Sequence, residues 1–146
     1  MPRPYSYAAL SDITGYIAGA TFGASTRPTA SQVVNSIELS ADELDSLLSR
    51  LDYAVPIPTG ATQSMDMARG WVTVGGAYRA AMAMPQGKES KHADAYGREW
   101  KALLESLEGG KRSLPDAPKI KRARSPAVAP GSEESTFTRA NAQTLR

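Results

Sequence analysis

The chain has 146 residues and a net charge of +2; Cys is absent and His occurs once, so disulfide frameworks, thiolate nucleophiles and multi-His metal sites within one chain are excluded. Apolar types make up 41%, but 23 of these residues are Ala, while Leu, Ile, Val and Phe together number only 24. So few large apolar groups leave two outcomes: part of the chain has no order of its own, or partner subunits complete the fold.

A first short helix is expected over residues 8–18. Leu10, Ile13 and Ile17 share one side, Ser6 is a candidate cap and Gly19 a candidate stop. The run GATFGASTRP after it reads as a loop. A second, long helix runs from Thr29 to about Ala54. Thr29 and Gln32 have capping-box spacing directly after Pro28. Apolar residues at Val34, Ile37, Ala41, Leu44, Leu48, Leu51 and Val55 alternate in steps of three and four and make one stripe, which Pro56 and Pro58 end. Its other side carries Glu38, Asp42, Glu43 and Asp45, either a solvated face or a surface for a basic partner.

The third helix spans Gln63–Met84 and is apolar around much of its circumference, as buried helices are. Gly70, Gly75 and Gly76 weaken it by about 1 kcal/mol each relative to Ala, or permit close approach of a neighbouring helix. The fourth runs from about Lys88 to Glu108 on a stripe of Ala93, Tyr96, Trp100, Leu103 and Leu107, with Gly109 as its stop. Four helices joined by short loops make an all-α fold, a small four-helix bundle, here followed by a long extended C-terminal arm.

Charge divides the chain in the same place. Residues 1–108 hold 9 Lys and Arg against 12 Asp and Glu; residues 109–146 hold 8 against 3. We therefore expect a helical domain over 1–110 and an extended basic arm over 111–146. The arm concentrates Lys119, Lys121, Arg122 and Arg124, with Arg139 further on and Phe137 and Leu145 as apolar anchors. Four readings are open for it: a solubilising tail, a ligand for an acidic protein surface, a phosphate-neutralising segment on nucleic acid, or a nuclear import signal.

No catalytic constellation is visible. The chain has no nucleophile elbow, Walker loop or dinucleotide fingerprint, and His92 lies in a mixed-charge helix that reads as surface or packing. Catalytic residues, cofactor and metal are all expected to be absent. So is a membrane span, since no apolar run approaches 18 residues. The opening MPRPYSYAAL lacks a secretory apolar region, which leads us to expect a soluble protein used without export by that route.

One stretch carries a resemblance. PTASQVVNSIELSADELDSLLSRLDYAVPIP is similar to the hallmark segment of head-to-tail adaptor (connector, or head-completion) proteins of tailed bacteriophages. The correspondence falls on Pro28, Thr29, Gln32, Val33, Ile37, Asp45, Leu48, Tyr53, Val55 and Pro56. The opening from Tyr7 to Ile13, and the last helix followed by Gly110 and Leu114-Pro115-Asp116, also resemble that family. The glycine-rich third helix and the long basic arm depart from it. The resemblance implies a helical subunit of a ring, commonly of twelve copies, beneath the portal protein. Such a ring extends the DNA channel, joins head to tail, and offers a surface to the next neck or tail component, a stopper or tail terminator. It implies a place in the virion neck after assembly in the host cytoplasm. Genomic DNA would pass through without sequence-specific binding, and no membrane is involved. By the same resemblance, residues 118–146 are candidates for the portal-binding arm, and Glu38, Asp42, Glu43 and Asp45 for a channel lining or subunit contact. The alternative is a nucleic-acid-binding module acting through the basic arm.

Overall fold

A computed structural model describes residues 7–17, 20–85 and 91–120. These form four helices: α1 (Leu10–Tyr16), α2 (Ala30–Arg50), α3 (Thr62–Ala83) and α4 (Lys91–Glu108). The all-α expectation holds, and α2, α3 and α4 pack around one core with α1 laid across α2 and α3. Within the described residues no helix is long and apolar enough to cross a membrane.

Local chemistry sets each boundary. The Thr29 hydroxyl accepts from the Gln32 amide at 3.2 Å, and the Gln32 side chain accepts from the Thr29 amide at 2.8 Å, closing the expected capping box of α2. At its other end α2 stops at Arg50, four residues before the expected end. Asp52 takes a left-handed φ of 68°, and the Tyr53 amide reaches back to the Leu48 carbonyl at 3.0 Å. That return bond satisfies a terminal carbonyl before Pro56 and Pro58 are reached, so the prolines follow the stop and do not cause it. The region proposed for the start of α4, residues 88–90, lies outside the described residues, as do Ser6 and Gly19. The described helix begins at Lys91. The first turn of α1 is held by Asp12, whose carboxylate accepts from the Ala9 amide at 2.9 Å.

The buried stripe of α2 contains Ile37, Ala41, Leu44 and Leu48 as expected, but Val33 and Leu47 belong to it and Val34 does not; Val34 is 45% exposed. Either member of the Val33-Val34 pair continues the three-four spacing. The choice is made by the rotation of the helix about its axis, which its tertiary neighbours fix.

Helix α3 is the centre of the molecule. Trp71 through Ala77 are all buried, a continuous run that only a helix surrounded by protein shows. A Cβ added at Gly75 would stand 2.9 Å from Ser40 Cβ and 3.0 Å from the Trp100 ring, and one at Gly76 would stand 2.9 Å from Ile13 Cδ1. The two glycines thus let α2, α4 and α1 reach the backbone of α3. Their weakness as helix formers is offset by the contacts they admit.

Beyond α4 the chain does not leave at once. Residues 111–120, expected as part of the extended arm, instead pack back on the body through Leu114, Pro118 and Ile120. Leu114 is buried, and its amide donates to the Tyr53 hydroxyl at 3.2 Å. The Ala54 amide donates to the Pro118 carbonyl at 2.9 Å and the Ile120 amide to the Asp52 carbonyl at 2.7 Å, an antiparallel bridge centred on Tyr53 and Lys119.

Candidate functional site

Three features of the body bear on function: the acidic face of α2, the docked tail segment, and a groove between α3 and α4.

The acidic residues of α2 do not act as one open face. Glu43 accepts from Arg79 Nη2 at 2.7 Å and from Trp100 Nε1 at 3.3 Å, while Arg79 Nη1 donates to the Ser40 hydroxyl at 3.0 Å. Glu43 therefore ties α2 to α3 and α4. Asp45 accepts from the Tyr7 hydroxyl at 2.6 Å, and that hydroxyl in turn accepts from the Ile57 amide at 2.9 Å. This relay fixes the N-terminal segment and the loop after α2 to one flank of the helix. Glu38 and Asp42 lie outward, Asp42 exposed and Glu38 half-buried. Of the four, Glu43 thus joins helices and Asp45 joins α2 to the N-terminal segment.

Of the basic and apolar residues expected in the arm, only Lys119 is described. Its Nζ sits 4.9 Å from the centre of the Tyr53 ring, a cation–π contact on an exposed side chain. Lys121, Arg122, Arg124, Phe137, Arg139 and Leu145 lie outside the described residues.

The tail segment is anchored by Asp116. Helix α3 starts after Ala61, which has no side chain able to cap it. Asp116 supplies the missing acceptor from 52 or 53 residues away: its carboxylate takes the amides of Gln63 at 3.1 Å and Ser64 at 2.8 Å, and the Ser64 hydroxyl. The Ser64 hydroxyl and these amides hold the Asp116 carboxyl below the usual carboxylate range. No local sequence signal marks this cap, because the helix and its capping residue are far apart along the chain.

Helix α1 is clamped by two polar contacts. Arg69 donates to both oxygens of Asp12, at 2.6 and 3.1 Å, and lowers the pKa of that carboxyl. Tyr16 donates to Glu99 at 2.9 Å; burial, aided by that carboxylate, pushes the phenol up to about 12.

The groove between α3 and α4 has a volume of about 510 Å³, with Tyr78, Met82, Ala93 and Leu104 among its apolar lining and Asp94, Arg98 and Lys101 along the α4 rim. Glu43 closes its α2 side. A groove of this kind forms between helices and has no linear signature. His92 is exposed and stacks on Tyr96 with ring centres 6.0 Å apart. Among the described residues no three His, Asp or Glu side chains come together in a way that could hold a metal ion. No protein-family model, characterised protein or solved structure matches this chain.

Proposed function

We propose that this chain is a structural subunit of a tailed-phage neck: a head-to-tail adaptor that forms a ring beneath the portal, extends the DNA channel and receives the next neck or tail component. One observation carries the reading. The residues on which the resemblance rests are those that set the geometry of α2 and its exit. Thr29 and Gln32 form the cap, Val33, Ile37 and Leu48 are buried in the core, and Tyr53 receives the tail through its hydroxyl. A set of residues that resembles a family's pattern in order and also fixes one local architecture supports the reading more strongly than any single motif.

The docked tail gives the arm a defined root. The bridge to Tyr53 holds Lys119 and Ile120 at the surface, with Ile120 50% exposed, directly before Lys121 in the sequence. In the adaptor reading this run and the residues after it grip the portal. Arginine-rich segments suit such a task, because the guanidinium group makes several directed bonds to carboxylates.

Co-sedimentation of the full chain with purified portal rings tests the proposal. Binding is expected, with loss when residues 121–146 are removed. Absence of affinity for portals, together with particle assembly that survives the truncation, would end the reading. Binding to duplex DNA that falls steeply with salt, in a chain indifferent to portals, would favour the nucleic-acid alternative.

A further inference from the structure

The α3–α4 groove has an apolar floor and a charged rim. Tyr78, Met82 and Leu104 are only partly covered there, and Met82 is 36% exposed. A Cβ built at Gly97 would stand 2.8 Å from Tyr78 Cε1, so the Tyr78 ring reaches the backbone of α4 and floors the groove. Glu43, on the α2 side, is already held by Arg79 and Trp100. Leu39, 49% exposed and one turn before Glu43, continues the apolar surface on that side. Along α4 the rim runs Asp94, Arg98, Lys101, one acid followed by two bases. Apolar surface rimmed by charge in this way marks a docking site.

The chain itself carries a segment of matching pattern. After Asp116, which caps α3, the only acids are Glu133 and Glu134, the only aromatic residue is Phe137, and Arg139 follows it. Acid, aromatic, base is the complement of the α4 rim taken from its C-terminal side: the glutamates face Lys101 and Arg98, Phe137 faces Tyr78 and Met82, and Arg139 faces Asp94. From Glu134 to Arg139 an extended chain spans up to about 17 Å, enough to cover the about 10 Å of helix between Lys101 and Asp94. Reach is no obstacle. Asp116 and the bridge at Tyr53 hold Ile120 at the end of the bundle where α3 begins. Met82 lies near the other end of α3, about 27 Å along the helix from Ser64. Phe137 is 17 residues beyond Ile120, a span of up to about 56 Å.

We infer that residues 133–139 occupy the α3–α4 groove of their own chain, with Phe137 seated on Tyr78 and Met82 and the glutamates against Lys101 and Arg98. A tether of this length, rooted on the body, gives the segment an effective concentration of about a millimolar at the groove, far above that of a second copy in dilute solution. The contact leaves the basic run at Lys121, Arg122 and Arg124 outside it. It needs no partner and stands independently of the adaptor reading.

The absence of Cys makes the test direct. A full-length chain carrying Met82→Cys and Thr138→Cys is mildly oxidised at low protein concentration. Its intrachain disulfide is expected to close about tenfold faster than that of Thr59→Cys with Thr138→Cys, although Thr59 is exposed in the loop before α3, at the end where the tether is rooted. Phe137→Ser added to the first pair should lower its rate to that of the Thr59→Cys control. Lys101→Glu should slow closure about threefold, and Glu134→Lys on the same chain should restore it. Equal rates for the two pairs, or a rate indifferent to Phe137→Ser, would overturn the contact. So would linked dimers in place of the closed monomer, at a rate rising with protein concentration, which would give the groove to a second copy. A readout with the body unaltered is methyl NMR of the methionines. Phe137→Ser alone should move the Met82 methyl resonance and leave those of Met65 and Met67 in place, and an unmoved Met82 resonance would overturn the contact as well.

Discussion

Helices α2 and α3 are nearly equal in length, 21 and 22 residues, yet the fold holds them in opposite ways. Helix α2 presents one stripe of large side chains, Val33, Ile37, Leu44, Leu47 and Leu48, and leaves its other side to water. Helix α3 presents small residues, Gly75, Gly76, Ala77, Ala80 and Ala81, and is buried on nearly every side along its central turns. One inserts and the other receives. A chain with few large apolar residues gains from this division, since at Gly75 and Gly76 the side chains of Trp100, Ile13 and Ile37 reach the α3 backbone directly.

The largest effect should come from the inserting partner. Leu48 is fully buried at the end of the α2 stripe. Leu48→Ala removes its contacts and leaves a cavity, and is expected to cost about 2–5 kcal/mol in urea unfolding, a large fraction of the stability of a domain this size. A loss under about 1 kcal/mol would mean that α2 is not inserted as described.

The receiving helix should fail in the opposite sense, by addition. Gly75→Ala places a methyl group 2.9 Å from Ser40 Cβ and 3.0 Å from the Trp100 ring, neither of which is the free end of a flexible chain. Overpacking of this kind costs about 1–3 kcal/mol, partly offset by the roughly 1 kcal/mol that Ala gains over Gly in a helix. A net loss is expected, with a shift in tryptophan fluorescence as Trp100 is displaced. Gly76→Ala meets Ile13 Cδ1 at 2.9 Å and Ile37 Cγ1 at 3.2 Å; the closer of these is the end of a side chain that can turn aside, so the substitution should cost less.

The two helices also differ in how far the sequence discloses them. All of α2 is legible except its rotation and its last turn. The Thr29–Gln32 cap is local and the stripe is periodic, but Val33 and Val34 are equivalent until α3 is in place. In α3 the sequence shows that the helix is apolar all round and that its glycines either weaken it or admit a neighbour. Which of these holds depends on Ser40, Ile13 and Trp100, which are distant along the chain. The acidic residues show the same limit. Glu38, Asp42, Glu43 and Asp45 form one patch in the sequence, and only the positions of Arg79 and Tyr7 show that Glu43 and Asp45 reach different parts of the molecule. The role of Asp116 has no local signal for the same reason: the N-cap of α3 is Ala61, and the acceptor for the Gln63 and Ser64 amides comes from 52 or 53 residues further along the chain.

That remote cap separates the helices further, because α2 carries its own acceptor and α3 borrows one. The Asp116 carboxyl has its pKa lowered by folding, so the stability it confers is fully present above the ordinary carboxylate range, near pH 4, and is lost as pH falls through the lower folded value. Ser64→Ala takes away the largest cause of that shift. The Asp116 carboxyl, followed by carbon-13 NMR, should then titrate at higher pH, and amide exchange at the start of α3 should quicken while that at the start of α2 stays unchanged. Equal changes at both helix starts would show that the cap is not specific to α3.

The smallest effect is also the most discriminating, because it lies on the same helix as Gly75 and has the opposite sign. Nothing stands within 4 Å of a Cβ added at Gly70, whose position on α3 is exposed. Gly70→Ala should therefore keep the helix-propensity gain without the packing loss and stabilise the protein by about 0.5–1 kcal/mol. If glycines on α3 served only to loosen the helix, Gly70→Ala and Gly75→Ala would both stabilise. If every face of α3 were in contact, both would destabilise. Opposite signs from the same substitution five residues apart follow only when α3 receives its neighbours at Gly75 and Gly76 and still turns one edge to water at Gly70. Thermal unfolding of the two variants side by side reads that sign directly.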